Sequence, residues 1–181
     1  MTSKVAFLDR DGVINQDYGY VYKVDHFIFC EGVIEALQIL DKKKYRINIV
    51  TNQSGIARGY YTEEQYLELD QWLKNRLKID NIYLENIIYC PHHPDGKVLD
   101  YAVNCDCRKP SNGMIEQIFN AKSFDRTKSI IVGDKISDVR CGVNSGLGGL
   151  YLISKGKDQI MEIEGFSISF RTSLLEIAKE L

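Results

Sequence analysis

The segment Phe7-Leu8-Asp9-Arg10-Asp11-Gly12 places two carboxylates two residues apart, directly after the apolar run Val5-Ala6-Phe7-Leu8. Such a run reads as a buried strand. Side chains at i and i+2 of an extended segment point the same way. Both acids can then meet beyond the strand's C-terminal end, where open α/β sheets bind their ligands. Gly12 permits a sharp turn there. Like charges at that spacing repel unless a cation or a phosphoryl-transfer role offsets them. The plain alternative is an Asp-rich turn.

Three more polar motifs suit the same chemistry. Val50-Thr51-Asn52-Gln53-Ser54-Gly55 groups hydroxyl, amide and glycine, donors fitted to an oxyanion, although a helix N-cap has the same composition. Cys107-Arg108-Lys109-Pro110 offers a planar guanidinium fork and an ammonium point charge. Ile131-Val132-Gly133-Asp134-Lys135 ends in a carboxylate, with Asp138 a helical turn further on. Asp134 beside Asp9 and Asp11 completes an oxygen-ligand set for magnesium. At one edge of a parallel sheet these motifs supply nucleophile, oxyanion donor, cation and metal ligand, the constellation of phosphoryl transfer.

Cys90-Pro91-His92, followed along the chain by Cys105-Asp106-Cys107, has the pattern of a structural zinc site with three thiolates and one imidazole. A closed set leaves no position for a substrate water, so the zinc reads as a clamp that orders its loop and places Arg108 and Lys109. His93 is an alternative ligand, and His92 is favoured because its spacing mirrors Cys105-x-Cys107. His26 stands isolated on a Tyr-rich segment and reads as non-ligating. The chain's 5 cysteines are an odd number, which points to metal binding in a reducing compartment rather than a disulfide framework. Cys30 and Cys141 read as small buried hydrophobes.

The elements that must position these residues alternate along the chain. Strands are predicted at 5–8, 47–51, 87–90, 129–133 and 149–153, with a short one possible at 167–170. Helices are predicted at 32–43, 62–78, 114–121, 136–144 and 174–181, the second opened by a Thr62/Gln65 capping box. This order predicts an α/β fold with a doubly wound, mainly parallel sheet in a single domain over 1–181. Two long irregular stretches, 15–29 and 91–111, read as functional loops. A net charge of −2 over 181 residues leaves no broad nucleic-acid footprint. No apolar run reaches membrane-spanning length. The start Met1-Thr2-Ser3-Lys4 meets the first strand without room for a signal peptide, so a cytoplasmic location is expected.

The strand-end motifs resemble those of the haloacid dehalogenase superfamily of phosphohydrolases. Phe7–Gly12, Thr51 to Gly59 (Thr-Asn-Gln-Ser-Gly-Ile-Ala-Arg-Gly), Cys90-Pro91-His92-His93-Pro94, Cys105–Pro110 and Val132–Lys135 are similar to the D-glycero-D-manno-heptose 1,7-bisphosphate phosphatase family. Histidinol-phosphate phosphatases share the motifs but typically have a shorter zinc loop. The resemblance covers about 7–156. Val13 replaces a frequent Thr, and the tail beyond Lys157 matches little. It implies a capless HAD-like fold and Asp9 as a nucleophile that becomes phosphorylated, with Asp11 as acid and then base. Magnesium is held by Asp9, Asp134 and the Asp11 carbonyl, and Thr51 and Lys109 bind the phosphoryl oxygens. The leaving group is recognised by Asp17, Tyr18, Gly19 and Tyr20, by Asn52, Gln53 and Ser54, and by Arg108 and Lys135. The expected partner is a small sugar bisphosphate, with no nucleic acid or membrane, and the expected state is a monomer. Arg58 is open to a second phosphate or to a surface role. A phosphoacceptor signalling domain is the rival from another class.

Overall fold

The structure, a computed structural model, describes residues 3–154 and 160–181; Met1, Thr2 and the boundary at Lys157 lie outside the described residues. Its centre is a 7-stranded sheet in the order β3-β2-β1-β4-β5-β7-β6. The strands are β1 Lys4–Leu8, β2 Tyr45–Asn52, β3 Asn86–Cys90, β4 Ile130–Gly133, β5 Gly149–Ile153, β6 Ile160–Ile163 and β7 Phe166–Arg171. All pairs are parallel except β6 with β7. The helices are α1 Val33–Lys42, α2 Glu63–Ile79, α3 Gly113–Ala121, α4 Ile136–Asn144 and α5 Leu174–Glu180.

The central strands are apolar on both faces because helices cover both. Ala6 and Leu8 of β1 pack with Leu37 and Leu40 of α1, Leu69, Leu73 and Leu77 of α2, and Ile177 of α5. Val5 and Phe7 point the other way, into a cluster with Met114, Ile115 and Ile118 of α3 and Val139 and Cys141 of α4. The one-residue alternation along β1 therefore divides two cores, the double winding expected from the sequence. The capping box at the head of α2 is present: Gln65 N donates to Thr62 Oγ1 and Thr62 N to Gln65 Oε1.

β6 has no counterpart among the expected strands. It pairs antiparallel with β7 through a turn at Glu164 (φ 54°) and Gly165 (φ 82°), a primed hairpin turn. Its four residues form the sheet edge, too short for a periodic signal. β1 and β2 are separated by the 9–32 loop and α1, and β2 and α3 by α2, β3 and the 91–112 segment. Among the described residues no further folded unit covers the C-terminal edge of the sheet, which is left to loops. No helix among them is long and apolar enough to cross a membrane.

Candidate active site and metal centre

β1 stops at Leu8, and Asp9 N donates to Val132 O across the end of the sheet. The Asp9 carboxylate is buried and lies 3.1 Å from Lys109 Nζ. Lys109 Nζ makes a well-directed hydrogen bond to the Val50 carbonyl (2.7 Å) and lies 2.7 Å from Asp138 Oδ1. That second approach is off the hydrogen-bonding direction, so it counts as an ion pair and leaves Asp138 Oδ1 without a hydrogen-bond partner. Burial pushes the Asp9 carboxyl up to about 7, against the pull of the Lys109 charge. Burial also pulls Lys109 down, but the charges of Asp9 and Asp138 outweigh it and hold the ammonium protonated.

The chain turns after Asp9, Asp11 bridges to Asn15, and the two acids lie close enough for the Asp11 charge to help raise the Asp9 carboxyl, each with its own partners. Asp9 faces Lys109, whereas Asp11 faces its own donors. Arg10 Nη2 lies 2.9 Å from both Asp11 oxygens, Asn15 Nδ2 donates to Oδ1 (2.9 Å) and Gln53 Nε2 to Oδ2 (3.0 Å). Arg10 is fully buried and also donates to Val21 O. Among the described residues no donor bonds the Asp11 carbonyl.

Among the described residues two clusters can hold a metal ion: Asp9, Asp134 and Asp138, and Cys90, His92, Cys105 and Cys107. In the first, Asp134 Oδ1 is buried without a hydrogen-bond partner, which fits an oxygen that ligates a cation. Gly12 (φ 86°) leaves room for it: a Cβ there would stand 2.4 Å from Asp134 Oδ2. α4 is capped at Lys135, whose N–H donates to Asp138 Oδ2 (2.9 Å), so Asp134 is not the helix cap. In the second cluster Sγ of Cys105 lies 3.5 Å from Cys90 Sγ and 3.2 Å from Cys107 Sγ, and His92 Nδ1 lies 3.3 Å from Cys107 Sγ. These spacings match donors around a tetrahedral ion. Cys90, and then Cys105 and His92, bring the Cys107 thiol below its ordinary value, which favours the form that binds a cation. His93 lies outside the cluster and instead meets Arg58 Nη2 through Nε2 at 3.0 Å. His26 is absent from both clusters.

A cavity of about 270 Å³ opens beside Asp11, lined by Asp17, Gly19, Tyr20, Asn52, Gln53, Ser54, Tyr61 and Lys135. Lys135 Nζ straps the Asp17 loop through Asp17 Oδ2 (3.2 Å) and lies 3.8 Å from Asp134 Oδ2. Burial raises the Asp17 carboxyl, but the Gly19 N–H and Lys135 bring it below the ordinary value. Tyr18 does not line this cavity; it is exposed and bonds Gln16. Arg108 points to the zinc-type loop and donates to His92 O (3.3 Å).

Asn52 lines the cavity and also has a structural part. Its Oδ1 accepts from Lys109 N (3.0 Å) and its Nδ2 donates to Lys109 O (3.0 Å), so both halves of the amide clamp Lys109. Lys109 itself comes from the loop before α3, not from the tip of β3. Three residues that sequence reasoning left out of the site belong to it: Asp138, Arg10 and Tyr61. Asp138 carried a signal in its spacing from Asp134. Arg10 and Tyr61 carried none beyond their positions beside motifs.

A mainly parallel sheet with an Asp/Asp/Thr/Lys/Asp edge, left to loops among the described residues, defines a phosphohydrolase of the haloacid dehalogenase type. Comparison with known proteins agrees. Residues 4–157 match the family described as polynucleotide kinase 3 phosphatase. D-glycero-beta-D-manno-heptose-1,7-bisphosphate 7-phosphatase of Haemophilus influenzae is 44% identical over 179 residues, 99% of this chain and 97% of that one. The D-glycero-alpha-D-manno-heptose-1,7-bisphosphate 7-phosphatase of Photorhabdus laumondii is 46% identical over 84% of each chain. The crystal structure of D,D-heptose 1,7-bisphosphate phosphatase from B. bronchiseptica, complexed with magnesium and phosphate, superposes with a TM-score of 0.81. It is 27% identical and covers 98% of this chain and 97% of that one. The chain belongs to the heptose-1,7-bisphosphate 7-phosphatase family.

Proposed function

We propose that this protein removes the 7-phosphate of D-glycero-D-manno-heptose 1,7-bisphosphate, as a phosphoric monoester hydrolase in the making of nucleotide-activated heptose. The observation that carries this reading is the buried Asp9 carboxylate 3.1 Å from Lys109 Nζ, in one cluster with Asp134, whose Oδ1 has no hydrogen-bond partner, next to a cavity of sugar-phosphate size beside Asp11. The net charge of −2 supports a small anionic substrate held by a few local cations over a polynucleotide.

In this mechanism an Asp9 oxygen attacks phosphorus and the bond from phosphorus to the sugar oxygen breaks. Asp11 gives its proton to the departing oxygen. It then takes a proton from the water that attacks the phosphorylated Asp9, releasing inorganic phosphate and restoring the carboxylate. Thr51 and Lys109 hold the phosphoryl oxygens. The Asp9 and Asp134 carboxylates and the Asp11 carbonyl would hold magnesium, whose charge shields nucleophile from phosphate and offsets charge in the transition state. Cys90, His92, Cys105 and Cys107 would hold a structural zinc that fixes the loop carrying Arg108 and Lys109. The Asp17–Tyr20 loop, Ser54, Arg108 and Lys135 recognise the leaving group. The reading carries with it a cytoplasmic monomer.

The test compares kcat/KM for the α and β anomers of the heptose bisphosphate with that for histidinol phosphate. One heptose anomer is expected to exceed histidinol phosphate by about a hundredfold or more; a preference for histidinol phosphate overturns the substrate assignment. Asp9→Asn is expected to cut turnover about a thousandfold or more with fold and metal content retained. Wild-type protein that becomes phosphorylated without steady phosphate release would instead be a phosphoacceptor.

A further inference from the structure

We propose that Tyr61 is a positioning residue for proton transfer to the leaving group: acting through Gln53, it fixes the Asp11 carboxyl and turns the Thr51 hydroxyl toward the phosphoryl group. This rests on the roles given above to Asp11 and Thr51.

The Tyr61 ring is held from several sides. It is buried and stacks on Tyr22 with centroids 4.8 Å apart and planes 14° apart. Its other neighbour is Gly55, where a Cβ would come within 2.1 Å of the ring's Cε1. Only glycine admits the ring there, which gives the Gly of Thr51-Asn52-Gln53-Ser54-Gly55 a reason besides the turn. Burial keeps the phenol protonated, because it disfavours the charged form. The hydroxyl donates to Gln53 Oε1 at 2.7 Å.

That one bond decides what the rest of Gln53 can do. An amide has one acceptor end and one donor end. With Oε1 taken by Tyr61, Nε2 faces Asp11 Oδ2 (3.0 Å) and Thr51 Oγ1 (2.9 Å), one hydrogen to each. The reversed amide would set a carbonyl oxygen against a carboxylate, which can only accept when ionised. While Asp11 is ionised the arrangement is therefore chemically consistent in one sense alone, and the Tyr61 bond to Oε1 holds that sense when Asp11 takes up its proton. Thr51 Oγ1 accepts from Gln53, so its own proton is free for a phosphoryl oxygen. Asp11 is held at Oδ2 by Gln53 and Arg10 and at Oδ1 by Arg10 and Asn15. Gln53 is the member of that set that ties the acid to the oxyanion-binding strand end. Removing the Tyr61 hydroxyl strands Oε1 as a buried acceptor and releases the amide to rotate.

In the step concerned, the sugar-oxygen–phosphorus bond breaks with its electron pair left on oxygen, and the Asp11 proton moves to that oxygen. The need for the proton depends on the leaving group. An alkoxide needs it, whereas p-nitrophenolate departs as a stable anion.

Tyr61→Phe keeps the ring, its stacking and its contact with Gly55. With the heptose bisphosphate its kcat/KM is expected to fall about tenfold, the effect of one buried hydrogen bond. With p-nitrophenyl phosphate the fall is expected to be about threefold or less. Equal losses on the two esters overturn the proposal, because a general structural defect or an effect through Thr51 alone moves both. Gln53→Leu supplies the second arm. If Tyr61 acts through Gln53, adding Tyr61→Phe to Gln53→Leu costs nothing further on the alkyl ester; multiplied losses overturn the proposal. Unchanged circular dichroism and zinc content in each variant confirm the fold. Wild-type turnover of the heptose ester is the control that separates failure of the substrate assignment from failure of this inference.

Discussion

Replacing Lys109 by methionine removes an ammonium while keeping an unbranched side chain of similar length. It leaves Asp9 and Asp138, 6% and 1% exposed, facing the place of their lost counter-charge. Breaking a buried pair by removing one partner costs about 3–5 kcal/mol. At about 2–4 °C per kcal/mol for a chain of this size, the magnesium-free variant is expected to melt about 10 °C below wild type at pH 8. The gap has a definite pH dependence. The Asp9 carboxyl is already up at about 7 with Lys109 in place, since burial outweighs the ammonium's pull. Without the ammonium it rises further. A carboxyl whose folded value lies above its unfolded one binds more protons in the native state. Its penalty therefore grows as pH rises from about 4 and is complete above the folded value. Both proteins share the early part of that loss, so the gap is small near pH 5 and opens above pH 7. A cation bound at Asp9 and Asp134 replaces part of the missing charge, so saturating magnesium should recover more stability in the variant than in wild type. Urea unfolding at pH 5 and pH 8, with and without magnesium, reads all of this. Chelators are avoided because they would also strip the Cys90/His92/Cys105/Cys107 site. A variant as stable as wild type at pH 8 without magnesium, or a gap that ignores pH, refutes the charge-pairing account.

Magnesium affinity itself is expected to climb about tenfold per pH unit below 7 and to level off above it, because the protonated Asp9 cannot ligate; isothermal titration between pH 5.5 and 8.5 measures the slope. On the zinc assignment proposed above, Cys105→Ser is expected to lower the zinc content found by elemental analysis and to cut kcat about tenfold or more by freeing Arg108 and Lys109. Limited proteolysis should then cleave within 91–111 while the sheet's circular dichroism is unchanged. Asp70 is a structural counterpart: burial pushes its carboxyl up to about 6, against the pull of Tyr66 and Arg10. Its penalty grows from about pH 4 to pH 6 and is full above. Asp70→Asn is therefore expected to raise stability at pH 7.5 by about 3 kcal/mol, with no gain near pH 4.

The frame was legible because its strands are buried on both faces and its helices carry regular apolar stripes. Val5–Leu8 and Ile130–Val132 stand out as unbroken apolar runs, and Leu69, Leu73 and Leu77 repeat at helical spacing. β6 was not legible. Its residues Met161, Glu162 and Ile163 lie at the sheet edge, where one partner and a solvated face impose no pattern. Its turn uses Glu-Gly at positive φ rather than the commoner Asn-Gly. β2 begins at Tyr45, earlier than its apolar run, because Lys4 and Val5 of β1 supply backbone partners to Tyr45 and Arg46.

The site was legible as residue types and less so as relationships. A polar side chain at a strand end can serve a ligand or the protein, and the sequence does not separate the two. The hydrogen bonds do. Asn52, with both amide halves spent on the Lys109 backbone, serves the protein first, and by doing so fixes the residue that meets Asp9. Gln53 is wholly occupied by Asp11, Thr51 and Tyr61, so its capacity for substrate through the side chain is small. Asp138 could be counted from Asp134, but its contact with Lys109 exists only because the metal-type loop returns that lysine to the sheet edge. A contiguous Thr-Asn-Gln motif thus divides its labour: Asn52 holds the Lys109 backbone, while Gln53, fixed by Tyr61, donates to Thr51 Oγ1 and leaves the threonine's own proton uncommitted to that amide.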